Sequence, residues 1–303
     1  MISLTDDPTR ADAVTHGGLF HADDVMAAAI LSCAQELRLY RCTAVPAELA
    51  PETIVFDVGG GRYDHHQPGG NGTRADGIHY SSCGLIWRDF GERAIRRLHP
   101  ELDASGVQQS WAMVDGALVR SIDAADNGEA QPSGDYTVSM ILASFNPAWD
   151  SDEDRAAAFL DAVAFAETVL RKAIRSAAAK VRGEQLVERA IREAANHVML
   201  LDSPAPWRDI VLNAPEAASI YYVVFPSIRG GYCCQCVPTR ENKFAQRRPL
   251  PESWRGAGAR ELRELTGVKT ALFCHPAGFI CGAETREDTL LLAEMACHEG
   301  EAP

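Results

Sequence analysis

Residues 54–70 read IVFDVGGGRYDHHQPGG. Three apolar residues, Ile54, Val55 and Phe56, lead into Asp57; glycines follow, and then His65 and His66 stand side by side behind Asp64. A β-strand sends adjacent side chains to opposite faces, so both imidazoles reach one site only if the strand has already ended. Pro68-Gly69-Gly70 marks a turn, which says that it has. Asp57 closes an apolar strand, and a carboxylate there is costly to bury unless it is paired or bound to a metal.

Working outward, AVTHGG (13–18) is a short strand candidate and ADDVMAAAILSCAQEL (22–37) a helix. TIVFDVGG (53–60) is a second strand whose apolar run suits a sheet covered on both sides. After the DHH turn, SSCGLIWRDFGERAI (81–95) reads as another helix, capped by Ser81 or Ser82. WAMVDGALVRSI (111–122) is a further apolar helix, with Asp123 and Asp126 following it in SIDAADNGE. Strand, helix, strand, helix predicts a parallel α/β sheet, which carries its site at the carboxyl ends of the strands.

From Ser151 to about Asn196 the sequence is Ala-rich, with Leu160, Val163, Ala166, Leu170, Ile174, Ala177 and Val181 at helical spacing. Ser151 and Asp154 resemble a capping box, and Gly183 is expected to break the run into two helices. The last hundred or so residues change character. ASIYYVVFPS and YCCQCVP are β-rich, LPESWRGAGARELRELTG turns into a helix, and TALFCHPAGFICG is a β-turn-β pattern. The expected organisation is an α/β metal-binding domain over 1–150, a connector helix over 151–198 and a smaller α+β substrate-binding domain over 199–303.

The 303 residues are 46% apolar and 23% charged, the mix of a soluble globular protein. No stretch approaches a membrane span, and MISLTDDPTRADA has neither a basic nor an apolar signal region, so a cytoplasmic location without membrane partners is expected. Nine irregularly spaced cysteines read as reduced thiols, with Cys233-Cys234-Gln235-Cys236 as a buried strand. The net charge of −13 argues against long-range capture of nucleic acid. It does not exclude a small anionic substrate drawn to metal ions or a local basic pocket.

Metal-ligand residue types gather at the proposed strand ends: His16, His21 and Asp23 after the first strand, then Asp57, Asp64, His65 and His66, then Asp123 and Asp126. Singly, most have ordinary readings: His16 as strand-end packing, Asp23 and Asp24 as first-turn acids facing a helix dipole, Asp123 and Asp126 as helix-end residues. Collectively they exceed what a solvated loop needs. The carboxylate and imidazole mixture suits Mn²⁺, Mg²⁺, Co²⁺ or Zn²⁺, and there are too many ligands for one ion. Lys243, Arg247 and Arg248 form a basic cluster, Arg229-Gly230-Gly231 lets backbone approach an anion, and Trp254 is either a base-stacking residue or core.

THGGLFHADDVMAAAI, VFDVGGGRYDHHQ, SSCGLIW and IDAADNG resemble, in order, the motifs of the DHH phosphoesterase superfamily, and most closely its MYG exonuclease branch, also called metal-dependent protein hydrolase. The likeness continues through RGGYCCQCVP, FAQRRPLPESWRG and FCHPAGFICG, so it runs from Val14 to Ala296. It implies a DHH-type two-metal phosphoesterase with His16, His21, Asp23, Asp57 and His65 as ligands together with Asp123 or Asp126. A histidine stands where many relatives have aspartate, which bears on metal preference. The resemblance further implies Asp57 bridging two ions, His66 turned toward phosphate and Asp64 orienting an imidazole. His275 and Gly278 match the family's substrate-binding motif. The implied activity is a 3′–5′ exonuclease on RNA or short single-stranded oligonucleotides, with Mn²⁺ favoured. A nucleotide or pyrophosphate-type phosphatase and a non-catalytic metal-stabilised regulator are the alternatives, and homo-oligomerisation is left open.

Overall fold

Ile2–Leu4 (β1), Ala13–His16 (β2), Leu37–Cys42 (β3) and Ile54–Val55 (β4) pair in the order β1-β3-β2-β4, every neighbour parallel. The structure, a computed structural model, describes residues 2–130, 135–242 and 244–298. The chain divides into two compact units, 1–181 and 182–303. The four-stranded sheet belongs to the first.

The helix after β2 is Ala22–Ala34 (α1), and every one of its residues is buried. That is why it reads as apolar all round rather than as striped. Ser82–Leu98 (α2) packs against it. The sheet is not covered equally on both faces as expected from TIVFDV. A small cluster of Ala11, Val14 and Cys42 with Tyr40, Leu49 and Val55 lies apart from the main core. Only Ile54 and Val55 enter the ladder, as an edge strand. β1 and β3 were not foreseen at all.

Ala104–Val114 (α3) continues through a π turn at Asp115–Val119 into Arg120–Asp126 (α4). Asp123 and Asp126 therefore sit within the final helical segment, not after a helix. Val138–Ala143 (α5) follows. Arg155–Glu193 (α6) is one helix of 39 residues, and Gly183 does not interrupt it. A Cβ at Gly183 would lie 3.1 Å from the Pro206 ring, so close approach accounts for the glycine. Asp154, not a Ser151 capping box, caps the start, its carboxylate accepting from the Ala156 amide. Phe159, Val163, Ala166, Leu170, Ile174 and Val181 enter the first unit's core, while Val187 and Ile191 pack with residues of the second.

The second unit holds Val198–Leu200 (β5), Trp207–Asn213 (α7), Tyr222–Pro226 (β6), Tyr232–Cys236 (β7), Ala259–Thr266 (α8), Ala271–Cys274 (β8), Ile280–Ala283 (β9) and Arg286–His298 (α9). Its five-stranded sheet runs β5-β6-β7-β9-β8, antiparallel except for β5 with β6. Cys234, Cys236, Cys274 and Cys281 are buried strand residues, and all nine cysteines are free thiols. Among the described residues no helix is long and apolar enough to cross a membrane.

Candidate metal centre

The chain leaves β2 for β3 on one side and returns through β4 on the other. Such a reversal opens a crevice beyond the carboxyl ends of the two strands it separates. His16 ends β2 and Asp57 lies just past β4, and they meet there, His16 Nε2 being 3.1 Å from Asp57 Oδ2. Asp57 holds φ at 56°, in the left-handed region, where aspartate is among the few tolerated side chains. Its amide donates to the Tyr63 carbonyl at 3.0 Å, and its Oδ1 accepts from the buried Ser82 hydroxyl at 3.1 Å.

The amino end of α1 brings three more groups. Asp24 accepts from the His21 amide at 2.8 Å and so caps the helix. The segment before it is clamped by Asn146, whose amide side chain accepts from Phe20 N at 3.0 Å and donates to Phe20 O at 2.7 Å. Asp23 and Asp24 are fully buried at this helix start.

The adjacent histidines of the opening stretch have opposite fates. His65 points inward, its Nε2 lying 3.2 Å from Asp126, 3.4 Å from Asp57 and 3.8 Å from Asp23. Its Nδ1 faces Asn127 Oδ1 at 3.4 Å, which assigns the proton to Nδ1 and leaves Nε2 a lone pair toward the carboxylates. His66 stays exposed, with Nδ1 2.8 Å from Asp64 Oδ1. Asp64 also accepts from Gly60 N at 2.6 Å and His66 N at 3.0 Å, so it staples the turn together.

Asp123 does something different from Asp126. Its carboxylate accepts from Ser81 Oγ at 2.8 Å, Gly84 N at 3.0 Å and Arg74 Nε at 2.7 Å, which satisfies the start of α2 and a buried guanidinium. A Cβ at Gly84 would come within 2.2 Å of it, so only glycine fits there. Three groups of side chains could each hold an ion: His16, Asp24 and Asp57; Asp57, His65 and His66; and His21, Asp23 and Asp126. Asp123 is in none of them. Asp24, read from sequence as a dipole-facing acid, is; its signal was the doubled aspartate after His21.

Electrostatics set these groups apart. Burial, then the nearby Asp57 and Asp126, push the Asp23 carboxyl well up. Burial raises Asp24 to about 7, although His16 opposes it. Burial also pushes Asp57 up, but the imidazoles of His16 and His65 outweigh it and hold the carboxyl below the usual range. His16 is raised to about 9, chiefly by its hydrogen bond to Asp57. Both Asp23 oxygens, Asp24 Oδ2 and His65 Nε2 are buried without a hydrogen-bond partner. Unsatisfied buried oxygens of this kind are costly, and cations satisfy them.

The residues proposed for substrate in the second unit are more ordinary. Trp254, 3% exposed, is core and cannot stack on a base. Arg247 donates from one nitrogen to the carbonyls of Ala217, Ala218 and Ile220. Arg248 lies 5.8 Å from the Tyr221 ring, and Arg229 is exposed on the turn between β6 and β7. His275 is exposed in the β8–β9 turn, and Gly278 is buried there at φ 65°, where a Cβ would strike Arg255. Lys243 lies outside the described residues. Arg41, which lies 4.0 Å from Asp24 and donates to the His16 carbonyl, supports the centre with Asn127 and Asn146; all three were missed because each acts through partners distant in sequence or through main-chain contacts.

Residues 12–297 match the MYG1 exonuclease family, described as "Uncharacterised protein family (UPF0160)". The chain is 31% identical to the MYG1 exonuclease of Homo sapiens over 322 residues, covering 92% of this chain and 84% of that protein. It is 30% identical to the MYG1 exonuclease of Bos taurus, covering 95% and 85%. With the MYG1 protein of Schizosaccharomyces pombe identity is also 30%, over 93% and 96%. No solved structure matches the chain. From a match over nearly its whole length, the chain belongs to the MYG1 exonuclease family.

Proposed function

We propose that the chain is a two-metal phosphodiester hydrolase of the DHH superfamily, acting as a 3′–5′ exonuclease on RNA or short single-stranded oligonucleotides. The observation that carries this is the unsatisfied ligand set: both Asp23 oxygens, Asp24 Oδ2 and His65 Nε2 are buried without hydrogen-bond partners, and Asp57 is common to two ligand groups. The names of the relatives supply the nuclease part of the reading.

His16, Asp24 and Asp57 would hold one ion and His21, Asp23 and Asp126 the other, with His65 between Asp57 and Asp126. Oxygen-rich sites with a minority of imidazole favour Mn²⁺ over softer choices. When bound, such ions lower the pKa of water and stabilise charge on the departing oxygen. Asn127 fixes the His65 tautomer, Ser82 orients Asp57, and Asp64 holds the exposed His66 ring with its Nε2 toward solvent, where it meets a phosphate oxygen. Asp123 and Arg74 hold the start of α2, which carries Ser82. Acidity of the whole chain favours short substrates over long polyanions.

The test strips the protein of metal, reloads it separately with Mn²⁺, Mg²⁺, Co²⁺ or Zn²⁺, and offers end-labelled RNA, DNA and free nucleotides. Stepwise shortening of RNA from its 3′ end, dependent on a divalent ion, is expected. Cleavage of nucleotides alone, or none with any ion, would sink the reading.

A further inference from the structure

Several arginines of this acidic chain have an aspartate or glutamate beside them, as in Arg38–Asp12, Arg62–Asp89 and Arg263–Glu284. Arg240 and Arg247 differ. They line one cavity of about 480 Å³ in the second unit together with Asn213, Tyr221, Thr239 and Glu241. Among the described residues neither forms an ion pair, Glu241 included. Among the described residues Arg240 donates to Asn213 Oδ1, at 3.1 Å. Arg247 is half-buried, its one engaged nitrogen spent on neutral carbonyls, and burial lowers its pKa. A partly desolvated cation without a counter-ion is costly, and an anion in the cavity offsets that.

The aromatic side of the cavity is equally particular. Tyr221 stacks on His197 at 4.4 Å with rings 15° apart. His197 sits at φ 66° after Asn196 at φ 50°, two left-handed residues in succession, a conformation that Asn and His adopt more readily than most side chains and glycine more readily still. Its Nδ1 lies 2.7 Å from the Ser219 carbonyl, which fixes the ring behind Tyr221. A glycine would make this turn more easily, and the imidazole there backs the Tyr221 ring.

We propose that this cavity is a nucleotide subsite, with a base stacking against the Tyr221 ring that His197 backs, and the phosphate held by Arg240 and Arg247. The choice of a nucleotide over another aromatic anion rests on the phosphodiesterase reading. It extends that reading by giving the second unit a contact of its own.

Full-length wild-type protein and the Asp57→Asn chain are titrated calorimetrically with AMP, adenosine, inorganic phosphate and pentaadenylate. AMP binds both chains, more tightly than adenosine or phosphate. Arg240→Ala weakens AMP about tenfold and leaves adenosine unchanged. Tyr221→Leu and His197→Gly each weaken AMP and adenosine about fivefold, and His197→Gly keeps or raises the melting temperature because glycine accepts the left-handed turn. Pentaadenylate binding far more tightly than AMP assigns the subsite to a nucleotide within a chain; equal affinity assigns it to a free nucleotide. AMP and pentaadenylate affinities unmoved by all three substitutions, or no binding at millimolar ligand, overturn the proposal. Failure of the wild type to cleave RNA with any divalent ion, while these binding differences persist, overturns the hydrolase and leaves the subsite standing.

Discussion

The two units bury different things. In the first, Asp23, Asp24, Asp57, Asp64 and Asp123 are all buried, whereas in the second the only buried polar residue among those described is Thr289, which bonds its own helix. The second unit fills its interior with Trp254, Leu262, Leu292 and thiols, and among the described residues no buried side-chain nitrogen or oxygen there lacks a hydrogen-bond partner. A fold of this size does not need five buried aspartates. Two of them, Asp64 and Asp123, are accounted for by the turn and the helix start they hold, whereas Asp23, Asp24 and Asp57 belong to the groups of side chains that could hold an ion.

Within the first unit the same contrast recurs between two aspartates. Asp123 has every oxygen satisfied by Ser81, Gly84 and Arg74, and Asp23 has neither. One carboxylate is held by partners of its own; the other is buried without a hydrogen-bond partner among the described residues.

The largest effect should come from Asp57. Asparagine tolerates its left-handed backbone and keeps an oxygen for Ser82, so Asp57→Asn should fold. It should bind at least one ion fewer per chain and lose RNA hydrolysis by more than about a hundredfold. Metal stoichiometry and hydrolysis on one preparation check this; two ions retained with near wild-type turnover would end the role of Asp57 as a ligand.

Next comes the pair that breaks the comparison most directly. Asp123→Ala leaves the Arg74 guanidinium and the start of α2 uncompensated and should cost about 3–5 kcal/mol of stability. Asp23→Ala removes an unsatisfied carboxylate and should leave the metal-free protein as stable or more so, while abolishing its gain in melting temperature with Mn²⁺. Urea titrations of both variants decide it. Equal destabilisation by the two would erase the distinction between them.

A smaller effect concerns pH. The folded-state pKa of Asp24, about 7, lies above that of an unfolded aspartate, and that of His16, about 9, lies above that of an unfolded histidine. Both groups bind protons more tightly when folded, so each contributes stability at low pH that is lost as pH rises through its folded value. Metal-free protein should therefore lose stability from the ordinary carboxylate range up to about pH 9. Asp57, shifted the other way, opposes this only in more acid solution. Saturating Mn²⁺ should flatten the decline, since a bound cation takes over from the proton. A melting temperature of the apoprotein that rises across this window would refute the account.

How much of this was legible follows from which interactions are local. The DHH turn, β2 and the helix after it, and the second sheet's hairpins could be read because a few neighbouring residues decide them. β3 could not: Leu37-Arg38-Leu39-Tyr40-Arg41-Cys42 alternates, but it follows α1 without glycine or proline, and Leu37 reads equally well as the last helical residue. The actual break is at Gln35, whose extended backbone carries no sequence marker. Nor could Asp123 be told from Asp126, since they lie three residues apart on one helix and are separated only by Arg74, Ser81 and Gly84, brought in from elsewhere. Trp254 failed for a related reason: an aromatic near arginines looks alike whether it faces a ligand or the core.

The smallest predicted effect sharpens the line between holding an ion and orienting what holds it. Asn127 touches no proposed ligand oxygen; it accepts toward His65 Nδ1 and donates to the carbonyls of His79 and Asp123, both at 3.0 Å. Asn127→Ala frees the His65 ring to carry its proton on either nitrogen, and protonation of Nε2 would face it wrongly toward Asp57 and Asp126. Loss of such an orienting partner costs about tenfold in metal affinity or activity. The two lost donor bonds add about 1–2 kcal/mol of destabilisation. Raising Mn²⁺ should recover the affinity part of the loss, which it cannot do for Asp57→Asn. If excess Mn²⁺ restores nothing, Asn127 belongs with Asp57 among the groups the reaction cannot spare, and the division between ligand and support has been drawn in the wrong place.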